Sequence, residues 1–349
     1  MAMYLRMTGV PMHRLRILSL TTAAAALAVM AAACGGDDDD GGSITVYSGR
    51  SEALVAPIIE DFTEETGIKV NVKYAGTDAA AALLLEEGGK SPADVFFSQD
   101  GGALGAVREA GLLATLPGSI TGLVPEQYRA SDGSWVGISG RSRVVVYNPG
   151  LINASDLPAS YKDLTSAKWK GKVGWAPANA SFQAFITAVR KVDGEDAAKA
   201  WLEAMAKNDA KTYANNNAIV SAVASGEISL GVVNHYYLWG LIKDQGEINA
   251  KNHYLAAGDP GALVNVAGAA VLKSAPNKSG AEKFVEYLLQ KHAQEFFAQE
   301  TFEYPLANGI ATDPRIKPLA ELKPPAIDLS DLDDLAGTLA LLRSTGVLK

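Results

Sequence analysis

Residues 44–74 read ITVYSGRSEALVAPIIEDFTEETGIKVNVKY, and the spacing of the apolar residues changes twice along this stretch. Ile44-Thr-Val-Tyr47 alternates and is rich in β-branched residues, which predicts a strand. Ser48-Gly-Arg-Ser51 is a small polar turn. Leu54, Val55, Ile58, Ile59 and Phe62 then recur at helical spacing, and Gly67 is placed to end that helix in a left-handed turn. Ile68, Val70 and Val72 alternate again. A strand, a helix and a second strand in so short a space form a βαβ unit, the building block of a parallel α/β sheet.

The rhythm continues with a helix over 79–87, a buried strand at Asp94–Phe97 and a helix over Gly101–Ala110. Val136–Ser139 and Arg143–Tyr147 read as two closely spaced strands. A second α/β unit follows. It has a strand at Lys172–Trp175, a helix starting near Phe182 with Asn179-Ala-Ser181 as its cap, and a helix over 197–207. Asn215–Asn217 opens a further helix, and Ile228–Val233 is a buried strand. Val264–Leu272 reads as a strand leading back to the first unit, and Lys283–Phe297 as one helix. Two α/β lobes with more than one crossing describe a hinged protein. Ligands of open α/β sheets bind at the carboxyl ends of strands. The loops Ser48–Ser51, Ser98–Gly101, Asn179–Ser181, Asn215–Asn217 and Asn234–Tyr237 all lie after strands or at helix starts, so one cleft can collect them.

The first 33 residues read as a secretory signal. Arg14 and Arg16 precede a short apolar run, and small residues lead into Cys34. Cys34 is the only cysteine, so the chain can form no internal disulfide. Ala31-Ala-Ala-Cys34 resembles a bacterial lipobox, although Ala31 stands where a larger aliphatic residue is usual. Residues 34–42, with four consecutive aspartates, read as a solvated tether behind a lipidated Cys34. Only three of the 31 Lys/Arg and none of the 39 Asp/Glu lie in the leader, so the processed chain carries a net charge of −11. That balance argues against nucleic acid as a partner. The expected location is outside the cytoplasm, lipid-anchored to the outer face of the cell membrane.

Tyr236 and Tyr237 follow the strand at Ile228–Val233. Adjacent tyrosines often serve packing alone. As phenolates, however, they are hard anionic oxygen donors suited to a trivalent cation such as Fe(III). The chain lacks a Gly-x-Ser-x-Gly elbow, a phosphate-cradling loop and paired metal-binding histidines, so an enzyme is not expected.

Eight separated strings occur in an order shared with one family: Ile44–Tyr47, Glu65–Val70, Ser91–Phe96, Ser139–Tyr147, Lys168–Lys172, Asp259–Val264, Gly268–Lys273 and Glu303–Leu306. Through them the chain, from about residue 43 to 349, resembles the bacterial ferric-ion binding proteins, the iron receptors of ABC importers. The resemblance implies a type II periplasmic-binding-protein fold, two α/β lobes joined by a hinge. Lobe 1 would comprise 43–142 plus 267–317, and lobe 2 would comprise 143–266 plus 318–349. It implies Fe(III) in the cleft as transported ligand, an ABC permease with its ATPase as partner, and a monomeric receptor. Tyr236 and Tyr237 fall on the family's iron-binding tyrosines. A synergistic anion (phosphate, carbonate or citrate) would be held by Asn179, Ala180, Ser181, Asn216 and Asn234.

Two positions depart from the family. Ser51 and Gln99 stand where well-known members have a histidine and a glutamate, and neither is a strong Fe(III) ligand. Ser51, Gln99 and Arg50 are therefore expected as cleft contacts to a ligand's oxygens, with a chelating anion or water filling the coordination. Arg141 and Arg143 either join them or form a hinge salt bridge. His235, if the tyrosine segment is extended, points away from one of its neighbours. The same fold could instead hold an organic anion, a phosphonate or a small cofactor.

Overall fold

The computed structural model describes residues 42–348. The signal segment, Cys34 and all but the last residue of the tether lie outside the described residues. The strands are β1 Ser43–Ser48, β2 Lys69–Tyr74, β3 Val95–Ser98, β4 Val136–Tyr147, β5 Val173–Trp175, β6 Lys211–Thr212, β7 Leu230–Asn234, β8 Lys251–His253, β9 Val264–Val271 and β10 Tyr304–Pro305. Between β1 and β4 lie the helices α1 Glu52–Thr66, α2 Thr77–Glu87, α3 Gly101–Glu109 and the short α4 Gly118–Thr121. Between β5 and β8 lie α5 Ala180–Val192, α6 Glu195–Lys207, α7 Asn216–Ala224 and α8 Tyr236–Gln245. After β9 come α9 Lys278–Tyr287, α10 Lys291–Gln299 and α11 Leu335–Ser344. The opening βαβ unit forms as its periodicity predicts: β1 and β2 pair in parallel from Ser43 opposite Lys69. Gly67 ends α1 at φ +73°, a conformation that only glycine adopts without strain.

The strand order is β2-β1-β3-β9-β4-β7-β5-β6. The outer pairs β1–β2, β1–β3, β5–β7 and β5–β6 are parallel, while β9 and β4 run antiparallel to their neighbours. The largely parallel sheet read from the sequence is therefore interrupted at its centre. The two strands expected at 136–139 and 143–147 are one continuous strand. Its first half pairs with β9 as far as Ser142, and its second half pairs with β7 from Arg143 onward. The polar run Ser139-Gly-Arg-Ser-Arg143 that breaks the apolar pattern is thus the point where the strand passes between two sheets, and it is buried. β9 pairs in the first sheet from Val264, three residues earlier than the expected boundary at 267.

One apolar core, including Val46, Phe62, Phe96, Phe284 and Phe297, lies around the first sheet. A second, with Trp175, Phe182, Phe185 and Trp201, lies on the β5–β7 sheet, and a third, with Val144, Ile219, Val233 and Leu238, also packs there. The C-terminal segment divides between them: Leu329 and Leu332 join the first core, Leu341 and Leu342 the second. The single helix read over 283–297 is two helices, α9 and α10, which meet at Leu288-Leu-Gln290. Among the described residues, no helix is long and apolar enough to cross a membrane.

Candidate functional site

β7 carries Asn234 to the carboxyl edge of its sheet, and α8 begins two residues later at Tyr236. The tyrosine segment is therefore helical rather than extended. Tyr236 and Tyr237 stack on each other with ring centroids 4.2 Å apart and planes at 28°. Tyr237 lines a cavity of about 120 Å³ together with Gln99, Asp100, Arg141, Arg143, Asn179, Ala180, Ser181, Asn234, Leu263 and Asn265. Tyr236 is absent from that lining and is nearly buried. Burial pushes the Tyr236 phenol well above its usual range, the neighbouring Tyr237 adds to this, and the Arg141 guanidinium opposes it.

The helix-start residues form a bonded cluster. The Asn179 Oδ1 caps α5 by accepting from the Ser181 N–H at 3.1 Å and from the Ser181 hydroxyl at 2.5 Å. Asn216 donates to the same Oδ1 at 3.1 Å, and its own Oδ1 accepts from the Asn234 N–H at 3.1 Å. Asn216 is outside the cavity lining, and it locks the α5 cap to the end of β7. Arg143 donates to Ser181 Oγ and to Asn234 Oδ1, each at 3.1 Å, and lies within 6 Å of the Phe182 and Phe185 rings. Burial pushes its guanidinium down to about 9, against the pull of the Tyr237 and Tyr236 phenols. Arg141 donates to the Gln99 carbonyl oxygen, while its Nε and Nη1 have no partner. Burial lowers its guanidinium too, against the pull of Glu303. Among the described residues neither arginine forms a salt bridge.

Arg50, expected as a cleft contact, lies outside the cavity lining. It is 1% exposed and forms an ion pair with Glu303, with a third bond from its Nη1 to Gln99 Oε1 at 2.9 Å. A guanidinium only donates, so Gln99 must turn its oxygen to Arg50 and leave its NH₂ as the free end. Ser51 is exposed beside α1 and is absent from the cavity lining. His235 is fully buried. Its Nδ1 accepts from the Ser142 N–H at 3.1 Å, so its proton sits on Nε2, which donates to the Phe302 carbonyl at 2.8 Å. Both ring nitrogens are engaged, and burial pushes the imidazole down to about 4. It offers no lone pair to a metal.

The side-chain oxygens around the cavity are therefore mostly taken. Gln99, Asn179, Ser181 and Asn234 accept as described, and Asn265 Oδ1 accepts from the backbone N–H groups of Gly101 and Val266. The free ends are amide NH₂ groups, the N-terminus of α5 and the unpartnered N–H groups of Arg141. That set suits an anion. Sequence reasoning missed Asp100 and Asn265 in this lining. Among the described residues, no three His, Cys, Asp or Glu side chains converge as a metal site, so tyrosine oxygens are needed for one.

The family model for bacterial extracellular solute-binding proteins matches residues 57–324. The chain belongs to that family. Among the solute-binding proteins it resembles is the Fe(3+)-binding periplasmic protein of Serratia marcescens, 36% identical across 87% of this chain and 90% of the relative. The structure of iron-bound HitA from Pseudomonas aeruginosa superposes with a TM-score of 0.82 at 38% identity, covering 87% of this chain and 99% of that one. The Trichodesmium protein FutA, solved with iron and citrate ligands, superposes with a TM-score of 0.77 at 32% identity, covering 87% and 99%. The fold is the two-lobed type II binding-protein fold of these relatives, and the expected likeness to ferric-ion binding proteins holds over most of the chain.

Proposed function

We propose that this solute-binding protein captures Fe(III) outside the cytoplasm, with a synergistic anion or as a small ferric chelate, and delivers it to an ABC permease and its ATPase. In this reading Cys34 is lipidated and anchors the processed chain, which acts as a monomer and catalyses no reaction. The observation that carries the proposal is the stacked Tyr236–Tyr237 pair, with Tyr237 in one cavity with the anion-suited free donors of Asn179, Asn234 and Arg141. Capture begins on the tyrosine side. The metal displaces the phenol protons, the anion accepts from the α5 N-terminus and the free amides, and Gln99 donates to it from the first sheet. A ligand touching both sheets favours the closed cleft by its differential affinity for that state. Ser51 and Arg50 have no part in this ligand set, and Asn216 acts by holding Asn179 and Asn234.

Phosphate, carbonate and citrate all match the donors. So does an organic anion or phosphonate without metal, because two guanidiniums and several amides face the space. Colour separates the readings. Adding ferric citrate to the metal-free protein should produce a tyrosinate-to-Fe(III) band in the visible, and it should be lost in Tyr237→Phe and weakened in Tyr236→Phe. A colourless protein that binds citrate equally well with and without iron would support the organic-anion reading.

A further inference from the structure

The geometry points to Asp100 as a first-lobe metal ligand that makes, with Tyr236 and Tyr237, a set of three anionic oxygens. The inference rests on the iron reading above and adds a ligand to it. Among the cavity-lining side chains, the oxygens of Gln99, Asn179, Ser181, Asn234 and Asn265 are neutral and already accept hydrogen bonds. Asp100 and Tyr237 are the lining residues whose oxygens can carry charge. Asp100 caps α3 through Oδ1, which accepts from the Ala103 N–H at 2.9 Å, and among the described residues its Oδ2 accepts no hydrogen bond. One carboxylate oxygen is thus fixed and the other is left over.

The placement matters as much as the chemistry. Asp100 follows β3 of the first sheet, while the tyrosines follow β7 of the second. A cation held by both therefore joins the two sheets, as a ligand that closes a cleft must. Two phenolates and a carboxylate also balance the three charges of Fe(III), and oxygen donors are what a hard cation selects. A second observation shows that the same space expects a charged occupant. Arg141 is 3% exposed, lines the cavity, and has Nε and Nη1 without partners. Those N–H groups are available to the anion that accompanies the metal.

The test compares wild type with Asp100→Asn, which keeps the cap because asparagine serves an N-cap as well as aspartate. The metal-free proteins should have the same urea midpoint. Ferric citrate is added, iron is measured by metal analysis, the visible band is recorded, and retention is read by titrating competing citrate. We expect Asp100→Asn to lose iron at least about tenfold more readily, since even an outer partner of a metal ligand is worth that much, and its tyrosinate band to move. Ser51→Ala, on the same side but outside the cavity lining, should leave the band and the retention unchanged. An Asp100→Asn protein with wild-type retention overturns the proposal while the tyrosine reading stands. Weaker retention with an unmoved band also overturns it, because the carboxylate then acts from outside the coordination sphere. A wild-type protein with no band at all removes both.

Discussion

Arg50 and Glu303, 253 residues apart in sequence, form a fully buried ion pair with two parallel hydrogen bonds, Nη1 to Oε1 at 3.0 Å and Nη2 to Oε2 at 2.8 Å. The Ser139 hydroxyl donates to Oε2 at 2.6 Å, at the point where β4 approaches its change of sheet. The pair therefore ties the end of β1, the corner before β10 and the middle of β4 into one node. Its free Nη1 valence also fixes the orientation of Gln99.

Removing one partner leaves the other charged and buried, so Glu303→Ala should destabilise the metal-free protein by about 3–5 kcal/mol. The acid side of the stability curve gives a second check. Burial raises the Glu303 carboxyl, but Arg50 and Arg141 outweigh it and hold it below the usual range. A carboxyl lowered on folding stabilises fully above its unfolded value of about 4.3 and loses that contribution as pH falls through the folded value. Urea midpoints from pH 7 to pH 3 should fall less steeply in Glu303→Gln than in wild type.

His235 carries a prediction of the same kind through a different sign. Its ring stacks on Tyr304 at 4.5 Å and joins Ser142 to Phe302, a non-glycine residue held at φ +57°. The folded protein holds the imidazole neutral down to about pH 4, whereas the unfolded chain protonates near 6.5. Below 6.5 the unfolded state binds the extra proton, so stability falls with pH and roughly 3 kcal/mol is lost by pH 4. NMR of the metal-free protein should show a His235 ring that does not titrate between pH 8 and pH 5. His235→Leu should remove this pH term. It should also cost stability at pH 7, about 1–3 kcal/mol for each buried group left unpaired at Ser142 and Phe302.

How much of this could be read from sequence follows from the range of each interaction. The Asn179 cap, the αL glycine at 67 and the opening βαβ unit are set by neighbours within a few residues, so pattern alone places them. Gly140-Arg-Ser142 reads as a break between two strands, and β4 runs through it. In the fold that segment is bonded to residues far along the chain, Arg141 to the Gln99 carbonyl and the Ser142 N–H to His235, which no local pattern encodes. Arg50 reads as a ligand contact because Glu303, its partner, lies too far along the chain to be paired with it by pattern. Asp100, followed by two glycines, carries the signature of a helix cap, and its second oxygen enters the site only once β3 and β7 are brought to the same edge. The tyrosine pair was legible as a candidate from its chemistry, and its helical start was not, because α8 begins directly from a buried strand.

Iron binding should weaken as pH falls. Each phenol that ligates must lose a proton, and burial makes that loss harder for Tyr236. If both ligate, the apparent binding constant should drop by up to about a hundredfold per pH unit below neutrality, tenfold for each proton displaced. Tyr236→Phe should halve that slope on a logarithmic scale. A titration that stays flat from pH 7 to pH 5 would sink tyrosinate ligation.

Arg143 should govern the anion without touching the metal. Its Nη1 holds Ser181 Oγ and Asn234 Oδ1 while Nη2 donates to the Val232 carbonyl at 3.3 Å. A lysine at this position is a point charge with no planar fork, and it cannot hold the three oxygens in one geometry. In Arg143→Lys the Ser181 and Asn234 side chains are freed to turn, and the cavity's oxygens are no longer held away from an incoming anion. The expected result is a split between two readouts. Iron delivered with phosphate or citrate should be retained about 10–100-fold less well, the usual cost of losing an outer partner, and the difference between the two anions should shrink. The tyrosinate band should persist, because Tyr236 and Tyr237 are positioned by α8 and by each other's rings. Loss of the band in Arg143→Lys, with the urea midpoint unchanged, would mean that the arginine positions the tyrosines themselves and that the anion pocket and the metal ligands are one inseparable unit.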